Sequence, residues 1–289
     1  MQIRSRLAPT PSGHLHLGNA VNFLHTWLRV RQAGGVLKLR IDDLDSNRCR
    51  PEYIEDIFRQ LDWLGLDWDE GPSGPGDFHR HHSQRLRRER YRQMVEGLRQ
   101  SDSLFACTCS RKEIQQRSPS GLYPGTCRHL GHRPVGPHAL RLRVEPGTGA
   151  SPAGQPLDLS RALGDFVIWR RDDQPAYQLA SLVDDLDDRI NLLVRGEDLQ
   201  ISTAAQLYLA TRLGREEFAR ATFIHHPLLL GGDGRKLSKS DNALSLAALQ
   251  ARGSSPQMAY RATARQLGLV PEQINTLADL RAEFAGHRE

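Results

Sequence analysis

Two short segments near opposite ends of this 289-residue chain constrain its fold more than any other feature. The first, 11–18, follows a strand-like stretch at 3–7 and precedes apolar residues with helical spacing, namely Ala20, Leu24, Trp27 and Leu28. This pattern predicts a strand, a glycine-containing loop and a helix. Backbone N–H groups at a helix N-terminus bind anions, so the loop favours a phosphate ligand. An ordinary strand-to-helix turn is the alternative interpretation.

The second segment, 236–240, reads Lys-Leu-Ser-Lys-Ser and follows the glycine-rich residues 231–234. The chain has 39 basic residues but only four lysines, and two of these, Lys236 and Lys239, lie in this segment. Two ammonium groups on a flexible loop can neutralise a triphosphate, to which His16 of the first segment can add an N–H donor. A solvated basic loop is the alternative interpretation.

Six segments resemble, in the same order, the motifs of the glutamyl branch of the class I aminoacyl-tRNA synthetases. Residues 16–19 resemble the HIGH motif of that class, and residues 236–240 resemble its KMSKS loop. The other four segments are 6–13, 40–45, 177–185 and 194–199. The resemblance extends over residues 3–245, which is most of the chain.

The predicted elements and the resemblance together imply an α/β protein with a Rossmann-type class I synthetase catalytic core. Further strands are expected at 36–41, 166–169 and 190–195, in one open and mostly parallel sheet, with helices at 52–64, 83–100, 178–182 and 203–213. The expected divisions are a first half of the nucleotide-binding core at 1–103, a zinc-containing insertion at 104–165, a second half of the core at 166–245, and a short helical C-terminal segment at 246–289 that ends in a charged tail.

The resemblance implies ATP-dependent activation of glutamate, in which a carboxylate attacks the α-phosphorus of ATP and pyrophosphate leaves. Such a reaction depends on positioning and on stabilising the charge that develops on the phosphates. The implied catalytic residues are His16, Lys236 and Lys239. The implied ATP-binding residues are Pro11, Ser12, His16, Gly18, Asn19, Lys236, Leu237, Ser238 and Lys239. Mg²⁺ is expected with the nucleotide.

The resemblance also implies a glutamate pocket, in which Arg6 binds the γ-carboxylate. Its other implied members are Ala8, Thr10, Asp42, Tyr177 and Arg195. The family has glutamate where this chain has Asp42, and aspartate is one methylene shorter. We therefore expect that contact between Asp42 and the α-ammonium group runs through water, which is nearly as favourable in enthalpy. The alternative is that Asp42 only caps the end of a strand.

Three of the four cysteines, Cys107, Cys109 and Cys127, lie close together in the sequence, and this spacing indicates a structural zinc site. Buried free thiols are the alternative. Ligand chemistry alone favours His129 or His132 as the fourth ligand, because imidazole is a commoner zinc ligand than a phenol. The resemblance instead implies Tyr123, since the queuosine-specific members of the family place a tyrosine four residues before the last cysteine.

Only 49 residues follow Ser240, fewer than a separate anticodon-binding domain of ~100 residues needs, so no such domain is expected. The resemblance then favours the members that glutamylate queuosine in tRNA(Asp). A minimal glutamyl-tRNA synthetase, a ligase with another acceptor and a non-catalytic RNA-binding paralogue are the alternatives. The net charge of +5 agrees with a polyanionic partner. No apolar segment has the length of a membrane span or the pattern of a signal peptide, so we expect a cytoplasmic protein. We also expect a monomer.

Overall fold

The chain packs as two units, each assembled from more than one stretch of sequence. The computed structural model describes residues 2–99, 102–131, 136–150, 157–229 and 245–287. What we call the first unit comprises the described residues of Met1–Leu86, Ile190–Glu197 and Thr222–Glu289, and the second unit comprises those of Arg87–Arg189 and Asp198–Ala221. None of the helices that the structure describes is both long and apolar enough to cross a membrane.

Strands and helices alternate along most of the described chain. The strands are β1 (Arg4–Leu7), β2 (Val36–Leu39), β3 (Leu104–Cys107), β4 (Ala139–Leu142), β5 (Gly149–Ala150), β6 (Leu157–Asp158), β7 (Phe166–Trp169), β8 (Leu192–Gly196) and β9 (Thr222–His226). The helices are α1 (Leu17–Gln32), α2 (Pro51–Trp63), α3 (Pro75–Asp77), α4 (Arg88–Arg99), α5 (Arg111–Arg117), α6 (Leu159–Ala162), α7 (Tyr177–Asp187), α8 (Gln200–Arg212), α9 (Glu216–Ala219), α10 (Leu246–Ala251), α11 (Gln257–Gln266) and α12 (Leu277–Gly286).

The first unit contains two pairs of parallel strands, β1 with β2 and β8 with β9. Hydrogen bonds join the two pairs: the Asn191 N–H donates to the Arg4 carbonyl at 3.0 Å, and Ser5 Oγ donates to the Leu192 carbonyl at 2.7 Å. Because Arg4 and Ser5 meet successive residues of the other segment, β1 and β8 run in the same direction. The carboxyl ends of these strands therefore share one edge.

Helix α1 covers the strands of the first unit. Its predicted apolar face is confirmed, since Ala20, Leu24, Trp27 and Leu28 are all buried. The helix contacts β1, β2 and β8 on this side and also packs against α11 and α12. Parallel strands such as β1 and β2 require a long crossover connection, and α1 supplies it. The loop that precedes α1 is thereby held beyond the carboxyl end of β1.

The second unit is built around an antiparallel sheet of order β3-β4-β7. This arrangement corrects one expectation, because residues 166–169 do form a strand but do not resume the parallel sheet. Strand β7 instead pairs with β4, and its residue Phe166 lies opposite Leu142. Helices α4, α7 and α8 belong to the same unit, and α7 contacts both α4 and α8.

The C-terminal segment at 246–289, which was expected to be helical, contains α10 and α11. The stretch expected as a charged tail contains a further helix, α12, at Leu277–Gly286. Thr276 caps this helix by accepting a hydrogen bond from the Asp279 N–H at 3.1 Å. Leu280 and Phe284 are buried, so packing stabilises the helix despite its charged residues.

Candidate active site and metal centre

The imidazole of His16 caps the N-terminus of α1. Its Nδ1 accepts a hydrogen bond from the Gly18 N–H at 3.1 Å, and the His16 N–H donates to Asn19 Oδ1 at 3.0 Å. This reciprocal pair is a capping box formed by histidine and asparagine. Because Nδ1 acts as an acceptor, the proton of the neutral ring lies on Nε2. The cap therefore fixes the tautomer in which His16 Nε2 is a donor.

Gly18 leaves room for this arrangement of the ring. A Cβ atom at position 18 would lie 3.0 Å from His16 Cε1 and 3.1 Å from His16 Nδ1, which is tighter than ordinary contact. The glycine thus lets the imidazole lie directly against the first turn of the helix. Pro11 and Ser12 belong to the loop before it, where the Ser12 N–H donates to the Thr10 carbonyl at 2.8 Å.

The segment that follows the lysine motif in the sequence lies beside the first motif. Ser245 forms an antiparallel bridge with His16, and the Leu246 N–H donates to the Leu15 carbonyl at 2.8 Å. Ser245 also caps α10, since its Oγ accepts from the Ala248 N–H at 3.1 Å. The predicted site residues Lys236, Leu237, Ser238 and Lys239 lie outside the described residues.

Charged side chains lie at the shared carboxyl edge of the parallel strands. Arg6 on β1 and Arg195 on β8 are buried, with relative exposures of 5% and 2%. Asp42 follows β2, and its N–H donates to the Pro9 carbonyl at 2.9 Å, so the chain after β2 runs alongside the chain after β1. Two guanidinium groups at one edge form an environment suited to carboxylates and phosphates.

The first unit holds most of the residues that were predicted for the glutamate pocket. Ala8 is half-buried and Thr10 is exposed, and both lie in the loop between β1 and α1. Tyr177 belongs to the second unit, where it is the first residue of α7 and is 42% exposed. The structure therefore collects Arg6, Ala8, Thr10, His16, Gly18, Asn19, Asp42 and Arg195 in the first unit.

Asp42 is engaged in an ion pair that the sequence analysis did not foresee. Arg40 Nε donates to Asp42 Oδ1 at 2.8 Å, and Arg40 Nη2 donates to Asp42 Oδ2 at 3.3 Å. Gln84 Nε2 also donates to Asp42 Oδ1, at 3.2 Å. Arg40 could have been suspected, because it lies in the motif at 40–45. Gln84 belongs to no motif, and only the tertiary structure brings it to Asp42.

The neighbouring carboxylate, Asp43, has a different role. It is buried and accepts hydrogen bonds from Ser83 Oγ at 2.6 Å and from the Gln84 N–H at 2.8 Å. Arg85 Nε lies 3.7 Å from the same carboxylate. Asp43 thus anchors the segment that carries Gln84 to the end of β2. The two adjacent aspartates therefore have different contacts. Asp42 pairs with Arg40, whereas Asp43 binds the segment that contains Ser83 and Gln84.

The predicted zinc ligands come together in the second unit. The sulfur atoms of Cys107, Cys109 and Cys127 all lie within 4.8 Å of one another, and Cys109 Sγ is 3.6 Å from Cys127 Sγ. Tyr123 packs against these cysteines, and its hydroxyl oxygen accepts a hydrogen bond from the Cys127 N–H at 2.7 Å. Strand β3 ends at Cys107, and the Ser110 capping box starts α5 just after Cys109.

This donor set fits a tetrahedral zinc ion. Zn–S bonds of about 2.3 Å separate the sulfurs of a tetrahedral site by about 3.8 Å, close to the spacing of Cys109 and Cys127. Burial raises the pKa of Cys109 to about 11. Burial would also raise the pKa of Cys127, but hydrogen bonds with the Tyr123 side chain and the Thr108 backbone outweigh it and lower this pKa to about 7. The polarity around Cys127 therefore favours its thiolate, the form that binds zinc.

The histidine alternatives for the fourth ligand find no support among the described residues. His129 is exposed and is not part of the cluster of potential ligands. His132 lies outside the described residues. Tyr123 is the predicted fourth ligand that contacts the cysteines.

Comparison with known proteins places these features in a family. Residues 2–284 match the family described as tRNA synthetases class I (E and Q), catalytic domain. The chain is 39% identical to Glutamyl-Q tRNA(Asp) synthetase of Nitratidesulfovibrio vulgaris, covering 94% of this chain and 88% of the relative. It is 42% identical to Glutamyl-Q tRNA(Asp) synthetase of Nocardia farcinica, and the match covers 92% of this chain and 85% of that relative. It is 38% identical to a glutamate–tRNA ligase of Anaeromyxobacter, covering 88% of this chain but 55% of that relative.

The fold has close counterparts among solved structures. The glutamate-tRNA synthetase from Elizabethkingia anophelis superposes with a TM-score of 0.79 at 23% identity, covering 98% of this chain and 66% of that one. The chain thus spans about two thirds of the length of that protein. This likeness confirms the predicted class I synthetase fold, and the sequence match over nearly all of the chain goes further: the chain belongs to the glutamyl and glutaminyl (E and Q) family of class I tRNA synthetases, whose members are ligases.

Proposed function

We propose that this enzyme activates L-glutamate with ATP and transfers it to the queuosine base in the anticodon of tRNA(Asp). The observation that carries the activation step is the capped N-terminus of α1, which lies in the same unit as the buried guanidinium groups of Arg6 and Arg195. The names of relatives that match most of this chain support the acceptor.

In the proposed activation step, the phosphates of ATP lie at the N-terminus of α1. The His16 Nε2–H donates to them, and the positive end of the helix dipole favours their negative charge. Lys236 and Lys239 neutralise the charge that builds up as the glutamate carboxylate attacks the α-phosphorus and pyrophosphate leaves. Their proximity is supported by Ser245, which bridges His16 and follows Lys239 by six residues. Mg²⁺ accompanies the nucleotide, as is general for such triphosphate substrates.

In the proposed glutamate pocket, Arg6 binds the γ-carboxylate and Arg195 contributes the second cation. Ala8 and Thr10 are the further proposed members from the first unit, and Tyr177 is proposed from its motif alone. The negative group for the α-ammonium is Asp42, whose carboxylate lies against Arg40 and Gln84. Because the Asp42 side chain is short and also binds Arg40, its contact with the α-ammonium group of glutamate runs through a water molecule.

The transfer step joins glutamate to a hydroxyl of the cyclopentene diol of queuosine. That hydroxyl attacks the carbonyl of glutamyl-adenylate and loses its proton to solvent, an ester bond forms, and AMP leaves with the electron pair of the broken bond between the acyl carbon and the phosphate oxygen. The splayed bases of a single-stranded loop can be stacked and read along their edges by a small protein. The identity to glutamate–tRNA ligases supports a second candidate acceptor, the terminal ribose of tRNA(Glu).

A structural zinc ion belongs to this proposal. Cys107, Cys109, Cys127 and Tyr123 would hold it, and its binding would contribute folding free energy to the loop-rich insertion at 104–165. The ion is proposed to be structural and to take no part in activation. We further propose that the enzyme acts as a monomer in the cytoplasm.

Replacing Lys239 tests the activation step. We expect Lys239→Ala to lower glutamate-dependent ATP–pyrophosphate exchange, measured without tRNA, by about 10²-fold, because one transition-state donor is lost. Lys112→Ala is the matched control, since Lys112 lies on α5 of the second unit and should leave the rate unchanged. Wild-type exchange in a folded Lys239→Ala protein would remove this lysine from the mechanism.

Replacing Asp42 tests the glutamate pocket. We expect Asp42→Asn to raise the KM for glutamate about tenfold or more, because a charge-assisted contact of about 1.5–3 kcal/mol is lost, while the KM for ATP stays nearly constant. Asp45→Asn, which removes a nearby carboxylate paired with Arg48, should change neither constant. If Asp42→Asn raised both constants equally, Asp42 would act only as a strand-end cap.

The acceptor is tested with labelled glutamate. We expect the label to attach to queuosine-containing tRNA(Asp), to remain with the anticodon-loop fragment after ribonuclease cleavage, and to be absent from tRNA(Asp) that lacks queuosine. The reason is that only queuosine offers a diol in that loop. Comparable transfer to tRNA(Glu), with the label on its 3′ end, would instead establish a glutamate–tRNA ligase.

Metal analysis tests the zinc site. We expect about one zinc per chain, and we expect Cys127→Ser to lower both the zinc content and the melting temperature, since a structural metal contributes its binding energy to folding. Cys49→Ser is the control, because Cys49 belongs to the first unit, away from the cluster. A wild-type protein that contains no zinc when purified without chelator contradicts the proposal.

A further inference from the structure

A buried arginine lies over the ring of Tyr123. Arg141, on β4, is 9% exposed, and its Cζ atom is 4.0 Å from the centroid of the Tyr123 ring. This is the shortest of the cation–π contacts among the described residues. Phe105 on β3 also contacts the ring, with a centroid separation of 5.8 Å. Contacts with Arg141 and Phe105 thus fix the ring of Tyr123, independently of the contact between its oxygen and the cysteines.

The hydrogen bonds of Arg141 leave its charge directed at this ring. Its Nη1 donates to the backbone carbonyl of Asp165 at 2.9 Å, and its buried Nε has no hydrogen-bond partner among the described residues. The Asp165 carboxylate is engaged elsewhere, with the Val144 N–H at 2.8 Å and with Arg128. Since buried guanidinium N–H groups are usually hydrogen-bonded, the face of the Tyr123 ring is what stabilises this cation.

The other end of Tyr123 lies at the sulfur cluster. The Cys127 N–H donates to its hydroxyl oxygen, so this oxygen is fixed beside the three cysteines. With a zinc ion bound, three thiolates and a deprotonated Tyr123 oxygen would give the site a net charge of −2. Burying net negative charge is costly unless a cation lies nearby. Arg141 is a buried cation in contact with one of the four ligands.

We propose that Arg141 is the positioning residue that makes Tyr123 a zinc ligand, by stacking on its ring and by opposing the negative charge of the ligand set. This inference rests on the zinc site proposed above. Arg141 acts through Tyr123 and does not itself touch the metal. An outer partner of this kind typically changes metal affinity by about 10–100-fold.

The chain offers a matched control in Arg143, two residues further along. Arg143 also lies over an aromatic ring, with its Cζ atom 5.2 Å from the centroid of Phe105, and it donates to the Arg128 carbonyl at 2.6 Å. Replacing Arg143 therefore removes the same charge from the same region without removing the contact on Tyr123. Methionine keeps much of the length of arginine in both variants.

The test measures zinc affinity by competition with a chromophoric chelator, using the full-length chain. We expect Arg141→Met to weaken zinc binding about tenfold or more and Arg143→Met to change it less than about twofold. In the Tyr123→Phe background, Arg141→Met should add almost nothing, because the two residues act as a pair. Circular dichroism establishes that each variant is folded.

The absorption spectrum of the cobalt-substituted protein gives a second measurement, which does not depend on affinity or on activity. We expect the Arg141→Met spectrum to shift towards that of Tyr123→Phe, whereas Arg143→Met keeps the wild-type spectrum. Arg141→Lys retains the charge but not the planar stacking group, so we expect a smaller loss of affinity and a nearly wild-type spectrum. It also provides the test if Arg141→Met fails to fold.

Two results would overturn the inference while leaving the zinc site intact. One is equal zinc affinity and an equal cobalt spectrum for Arg141→Met and the wild type. The other is a loss of affinity on Arg141→Met that is as large in the Tyr123→Phe background. A wild-type protein that binds no zinc would instead remove the metal site, and this inference with it.

Discussion

The structure of the first unit depends on the crossover from β1 through α1 to β2. Two parallel strands cannot be joined by a tight turn, so the helix must return across the sheet, and its first turn then lies beyond the carboxyl end of β1. His16 and Asn19 cap the start of the helix at that point, since the Gly18 N–H donates to His16 Nδ1 and the His16 N–H donates to Asn19 Oδ1. The proposed phosphate contact of His16 follows from where this helix begins.

Electrostatics at the strand ends favours anionic substrates. Arg6, Arg40 and Arg195 are buried there, and the nearby carboxylates have assigned partners, since Asp42 pairs with Arg40 and Asp43 accepts from Ser83. A dicarboxylic amino acid and a triphosphate are both anionic, so the positive charge at this edge agrees with the proposed reaction.

In the second unit, the cysteine-containing region has few apolar residues with which to pack. Residues 104–131 contain one short strand and one short helix, too little apolar surface to hold a fixed shape by packing alone. A single small cluster holds this region together. It consists of the three cysteines, Tyr123 and Arg141. The ring of Tyr123 and the guanidinium group of Arg141 thus belong to the same local structure as the three cysteines.

Much of the fold could be predicted because it is encoded locally. The apolar spacing in α1 and the strand β1 before it each depend on a few consecutive residues, and the cysteine cluster needed only its short spacing. The catalytic lysines, by contrast, remain a prediction from a motif. Strand β7 was correctly predicted as a strand but assigned to the wrong sheet, because its partner β4 is chosen by packing in the second unit. Helix α12 was not predicted as a separate helix, because this stretch was interpreted only as a charged tail, whereas its Leu280 and Phe284 are buried.

The sequence by itself determined the family motifs, the residue types of the candidate site and the first turn of α1, since these reside in short contiguous segments. The tertiary structure alone decided which of these residues meet. It brought Gln84 to Asp42 across 42 positions, Ser245 to His16, and Arg141 to the ring of Tyr123. Such contacts join residues far apart in the chain, and their distances are set by the packing of whole elements, which no local pattern specifies.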